Sequence, residues 1–223
     1  MVTRLYFSST VVPPVRPANG PDAGWSETTN NDFRMMDTAK TSSAMTSRTE
    51  TKANTADTYK LIRTYVSRRL DGAQTISGTL KGTIRCLESA ANDNLDRVRI
   101  KLYVISSDGA SITGTAVDMT TQLGPTAEFN TSLRAKRIAD GDSLNSVSAN
   151  DNDRIVMEIG FGNSTTGASI SGDMNFGDDS ASDLGDNETD TAANNPFLEL
   201  SATLTFKAEE PLPDLFSMMG SGK

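Results

Sequence analysis

Histidine is missing from the chain altogether, and cysteine occurs once, at Cys86. The first absence excludes imidazole-activated serine and cysteine nucleophiles, and with them zinc and iron sites that depend on imidazole. The second excludes an intrachain disulfide and any cysteine metal cluster. Cys86 shares a face with Ile76, Leu80 and Ile84 and reads as a small buried apolar residue. Nowhere do about 20 apolar residues run together, and the apolar stretch of MVTRLYFSSTVVPP stops at Pro13 and Pro14. Neither a signal peptide nor a membrane span is expected, which implies synthesis in a cytoplasm. No phosphate-cradling glycine loop, nucleophile elbow or dinucleotide fingerprint is present either. Positive charge is scarce: the net charge is -8 and the pI about 4.6, a balance that repels nucleic-acid backbones and anionic membranes. The basic spots at Arg68-Arg69 and at Arg134, Lys136 and Arg137 read as solvated loop or strand edge. An enzyme is not expected.

What is abundant is alternation. In Asp96 to Asp108, DRVRIKLYVISSD, the residues Val98, Ile100, Leu102 and Val104 alternate with Arg97, Arg99, Lys101 and Tyr103. That period of two belongs to a strand with one apolar and one solvated face. Arg154 to Phe161 repeats it with Ile155, Met157, Ile159 and Phe161, and Leu198 to Phe206 with Leu198, Leu200, Ala202, Leu204 and Phe206. Leu61 to Leu70, Ala168 to Phe176 and the short Arg4 to Ser8 are further strands. Gln74 to Leu87 places Gly78 and Gly82 at inward positions, where a bend or a close backbone approach is expected. Ser106 to Gly109 is hairpin chemistry leading into Ala110 to Val117. Thr126 to Leu133 is a weaker strand with Ala127 and Phe129 inward; Arg134 to Ala139 either pairs or connects, and Asp140-Gly141 turns the chain. Leu144 to Val147 is a short strand, and Asn150 to Asp153 turns again. About eight to ten strands and no amphipathic helix predict an all-β antiparallel β-sandwich or jelly roll. Val98, Ile100, Leu102 and Val104 should share its core with Ile155, Met157, Ile159, Leu200 and Leu204.

The organisation has three parts. Residues 1–57 hold an N-terminal strand, a Pro-rich arm (Val11 to Pro17) and, from Asn30 to Asp57, a long surface excursion tacked down by Met35 and Met36. Residues 58–206 form the sandwich, and residues 207–223 an extended C-terminal tail. Trp25, the only tryptophan, either plugs the edge of its own core or anchors a partner. The tail's Leu212, Leu215 and Phe216, with Met218 and Met219, fold back on the domain or dock on a neighbour.

Two constellations could carry chemistry. The run GDDSASDLGDN from Gly177, continuing to Glu188 and Asp190, gathers Asp178, Asp179, Asp183, Asp186 and Glu188 in one loop. Calcium takes six to eight oxygens, so these acids are candidate structural calcium ligands, although their spacing departs from an EF-hand and a solvated acidic loop fits as well. Glu158 and Glu199 are outward acids on strong strands and read as wetted sheet faces.

The segments RLYF, Gly24-Trp25, YVSRRLDGAQTISGTLKGTIRCLES, DRIVMEIGF and NFGDDSASDLGDNETDTAANNPFLELSATLTF together resemble a group of tailed-bacteriophage and prophage virion structural proteins. The resemblance runs from Arg4 to Phe206 and implies a non-enzymatic jelly-roll component of the virion, assembled in the host cytoplasm. It further implies a capsid- or head-associated decoration (cement) or collar protein that stabilises the particle. The alternative is a carbohydrate-binding receptor-recognition module of a tail or fibre, against which the 6% aromatic content counts. The implied partners are other virion proteins, either the major capsid protein or a neck or tail component, and further copies of the chain in a homo-oligomer such as a trimer. Val11, Val12, Val15, Trp25, Leu212, Leu215 and Phe216 are the candidate partner-binding residues.

Overall fold

A computed structural model describes residues 1–208 except 22, 29–31, 41–42, 54, 92, 122, 125–126, 165 and 167–169. The strands in chain order are β1 (Thr3–Phe7), β2 (Asp32–Asp37), β3 (Thr46–Lys52), β4 (Thr58–Arg69), β5 (Gln74–Ile76), β6 (Thr79–Glu88), β7 (Leu95–Ile105), β8 (Ile112–Val117), β9 (Arg134–Ser143), β10 (Val147–Ala149), β11 (Arg154–Asn163), β12 (Ile170–Phe176) and β13 (Phe197–Leu200). Among the described residues there is no helix, and the fold is all-β. One continuous hydrogen-bonded path runs β3-β12-β6-β13-β1-β2-β4-β11-β7-β8, with β9 on the far edge of β6 and β5 paired with β10 as a separate ribbon. Every pairing is antiparallel except that of β2 with β4.

The path curls until its two halves face each other across one core. Tyr65 of β4 lies 5.0 Å from the ring of Phe7 on β1 and 5.6 Å from that of Phe176 on β12. Val98, Ile100, Leu102 and Val104 share that core with Ile155, Met157, Ile159, Leu200 and Leu204, as their alternation predicts. β7 runs between β11 and β8, with Ile100 opposite Ile159.

Several sequence expectations need correction. The expected excursion from Asn30 to Asp57 contains two strands: β2 is inserted parallel beside β4, and β3 forms the outer edge next to β12. β2 groups Phe33, Met35 and Met36 without alternation and β3 is polar throughout, so backbone pairing places them; only Met36 reaches the core completely. The stretch from Gln74 to Leu87 breaks in two at Gly78, whose φ of +89° is open to glycine at no steric cost. Thr126 to Leu133 forms no strand among its described residues, although Phe129 is buried, and the strand is Arg134–Ser143, running through Asp140-Gly141 with register shifts against β6. β13 stops at Leu200; beyond it Phe206 makes one bridge to Leu70.

The second face of β4, β11 and β7 is covered and not solvated. Arg99, Lys101, Tyr103 and Glu158 expose 6%, 7%, 1% and 0% of their surface. Alternation distinguishes two faces but does not say that the polar one is wet: long cations can lay their apolar stems on a sheet and reach partners at its rim. Arg99 does so, with one guanidinium nitrogen 2.8 Å from the Thr121 carbonyl and another 3.1 Å from the Tyr59 hydroxyl.

At the end of β6, Glu88 is buried beside Glu128 and Asp93 and accepts from the Leu95 N–H at 3.3 Å. Burial, followed by the charge of Glu128, pushes its pKa from 4.5 up to about 7. Between those values the folded state holds the proton that the unfolded state has released, so stability should fall as pH rises through the window. The contribution is complete below about pH 4.5 and lost once pH exceeds about 7. Denaturant titrations from pH 4.5 to 8 should show this slope, and Glu88→Gln should flatten it; a variant with the wild-type slope would assign the effect elsewhere.

Candidate functional site

Three surfaces contain the residues singled out in the sequence. The first is the acidic loop between β12 and β13, at the fork where the two halves of β6 pair with different strands: Leu80 to Thr83 with β13, and Arg85 to Glu88 with β12. The loop folds on Asn195, fully buried, whose side-chain amide donates to the Ser180 carbonyl at 2.6 Å and the Ser182 carbonyl at 3.1 Å. The structure does not gather the five candidate calcium ligands around one point, and no group of three such side chains suited to a metal occurs among the described residues. Asp178 turns inward and accepts from the Ser180 N–H, while Asp179 is exposed. Asp183 pairs with Arg4 at 2.5 Å and Lys40 at 2.9 Å, Asp186 with Arg137 at 3.2 Å, and Glu188 with Lys136 at 3.2 Å. Burial opposes the charge on Asp183, but hydrogen bonds from Lys40 and Arg4 prevail and hold its carboxyl below the usual range.

Three of those acids thus have protein cations as their partners. The basic cluster of β9 is accordingly not an idle solvated edge: Lys136 and Arg137 are the counter-charges of this loop. Each partly exposed pair contributes only about 0–1 kcal/mol, and together they set the path of a loop with few apolar anchors. Adding calcium or a chelator should therefore leave the melting temperature unchanged, whereas Arg4→Ala, which also strips a partner from Glu199, should lower it by a few degrees. A calcium-dependent rise in melting temperature would show that the acids regroup around the ion.

The second surface is the covered face of β11. Trp25 Nε1 donates to one oxygen of Glu158 at 2.6 Å, and the Tyr103 hydroxyl donates to the other at 2.8 Å. The indole packs with Leu61 and Met119 across Gly160. A Cβ at Gly160 would stand 1.9 Å from the Lys60 carbonyl oxygen and 2.6 Å from the indole, so only glycine allows both strand and tryptophan so close. Of the two roles open to Trp25, the plug in its own domain is the one observed. A buried indole N–H needs an acceptor, and Glu158 supplies it; this removes both the wetted-face reading of Glu158 and the partner-facing reading of Trp25. Beside this cluster, Asn19, Gly20, Pro21, Ala23, Lys101 and Ile112 line a cleft of about 260 Å³.

The third surface is the arm. It is strapped down: Met35 N–H donates to the Val11 carbonyl, Ala18 N–H to the Gly109 carbonyl, and Pro13 and Pro17 are buried. Val15 rests against Val66, Tyr103, Ile105 and Val156. Val11 and Val12 remain 51% and 49% exposed. The arm therefore presents two valines and not three. Leu212, Leu215 and Phe216 lie outside the described residues. Sequence reasoning placed Glu158 on a wetted face and Lys136 on a solvated edge, because a partner distant in sequence leaves no local signal.

No protein-family model matches the chain, and no curated protein does. Among solved structures, a CocE/NonD family hydrolase from Staphylococcus aureus aligns at 8% identity and a TM-score of 0.45, over 91% of this chain and 36% of that one. A selenomethionine-labelled α-amino acid ester hydrolase aligns at 8% identity and 0.40, over 92% and 36%. A structure of the Gx strain of infectious bursal disease virus aligns at 12% identity and 0.18, over 71% and 36%. The chain thus spans about a third of the length of each. At these identities and TM-scores none of them assigns an activity.

Proposed function

We propose that the protein is a non-enzymatic structural component of a tailed-bacteriophage particle, a jelly-roll-type decoration or collar protein on the head that adds stability by binding neighbouring virion proteins. The observation that carries this reading is the valine pair. Val11 and Val12 are half exposed on a segment whose backbone is fixed by the Met35–Val11 hydrogen bond and by two following prolines. An apolar pair held in place loses little conformational entropy when a partner covers it. The sequence resemblance from Arg4 to Phe206 supplies the particle, and the all-β fold is compatible with it.

The test uses purified particles lacking the protein. The recombinant chain should co-sediment with them at a fixed copy number, and a Val11→Asp/Val12→Asp variant, folded like the wild type by circular dichroism, should lose at least ten-fold in affinity. Absence of co-sedimentation, or a variant that binds as well as the wild type, would overturn the proposal.

A further inference from the structure

Beside Val11 lies a groove of about 170 Å³, lined by Tyr6, Ser8, Met35, Asp37, Ala39, Lys40 and Ser43 as well as by Val11 itself. Its apolar wall is formed by the flank of Tyr6, Met35, Ala39 and the valine. An apolar cavity of about 150 Å³ is enough to take up a benzene ring. The described chain ends close by. The Lys207 carbonyl accepts from Arg68 Nη1 at 3.4 Å, while Nη2 of the same guanidinium donates to Thr38 Oγ1 at 3.0 Å and stands 2.7 Å from Asp37. A single arginine side chain therefore spans from the exit of the chain to the rim of the groove.

Beyond Ala208 the sequence continues EEPLPDLFSMMGSGK, in which Phe216 stands eight residues on. Eight residues can span up to about 28 Å, several times the separation bridged by one guanidinium. Two prolines in this stretch restrict its free conformations and lower the entropy lost on docking. A tethered segment also competes at an effective concentration in the millimolar range, which favours a chain's own tail over a second copy in dilute solution.

We infer that the groove beside Val11 is the docking site for this chain's own C-terminal tail, with the Phe216 ring seated against Tyr6, Met35 and Ala39. This gives the tail's apolar residues a place on their own domain. The groove shares Val11 with the surface of the particle reading, but its test reads a cross-link within the chain and not attachment to particles, so either can fail without the other.

Disulfide trapping on the full-length chain provides the test. Ala39→Cys at the exposed groove rim is combined with Ser217→Cys next to Phe216, and the pair is oxidised with oxidised glutathione at micromolar protein. The native Cys86 does not compete, because it is buried and burial pushes its thiol pKa up. The expected product is a monomer lighter by two hydrogens, and adding Phe216→Ala should slow its formation at least ten-fold. A disulfide-linked dimer would assign the groove to a second copy. No cross-link, or a monomeric cross-link indifferent to Phe216→Ala, would show that the tail does not dock there. Each of these three results overturns the inference.

Discussion

Replacing Ile100 with aspartate is expected to abolish the folded protein. Ile100 is 2% exposed at the centre of β7, opposite Ile159 of β11, with core residues of the other half of the sheet packed over it. The substitution forfeits about 1.5–3 kcal/mol of apolar burial and adds several kcal/mol for a carboxylate taken out of water. Against a domain stability of about 5–15 kcal/mol, that loss removes most or all of the folded population. Expression should give insoluble material, and any soluble fraction should lack a cooperative unfolding transition. The control is Ile112→Asp on the adjoining strand, where the side chain is 45% exposed and the effect should stay within about 0.5 kcal/mol. A soluble, cooperatively folded Ile100→Asp protein would refute the core assignment.

Trp25→Ala should be the next most damaging change, and it acts from outside the main core. The indole is 5% exposed over Leu61, Met119 and Gly160. Truncating a buried tryptophan costs about 3–5 kcal/mol, and here it also leaves a fully buried Glu158 oxygen without its donor. In a chain of this size a loss of that order lowers the melting temperature by about 10 °C. The covering segment should also loosen, so trypsin should cleave at the exposed Arg16 faster than in the wild type. Trp25→Phe, which keeps much of the apolar area but not the N–H, should fall between the two. If Trp25→Ala melted like the wild type while weakening attachment to particles, the tryptophan would be a partner anchor after all.

These two substitutions also mark what the sequence made legible. The face containing Ile100 was readable because β7 and β11 alternate large aliphatic residues with polar ones over their full length, and burial follows such alternation almost without context. The other face was not readable. Lys101, Tyr103 and Glu158 are polar by type, and only the return of a segment distant in sequence covers them. β2 and β3 escaped for a related reason: Thr, Ser, Asp and Arg dominate them, and their place depends on backbone pairing with β4 and β12. The acids of the 177–188 loop were legible as one acidic loop, but their partners were not, because Arg4, Lys40, Lys136 and Arg137 arrive from three other stretches of chain. The exposed valines of the arm were readable as apolar residues next to prolines. The partial burial of Val15 was not, since it depends on the β7–β8 hairpin beneath the arm.

The claim at the centre of this account is that the protein is a stoichiometric part of a phage particle. Quantitative mass spectrometry of density-purified particles, released from a lysogen that carries the gene, tests it most directly. The account expects peptides from the Thr58 to Phe206 region at a copy number in fixed proportion to the major capsid protein, retained through repeated high-salt washing. Particles complete and infectious without the chain, or a trace amount that washing removes, would contradict it.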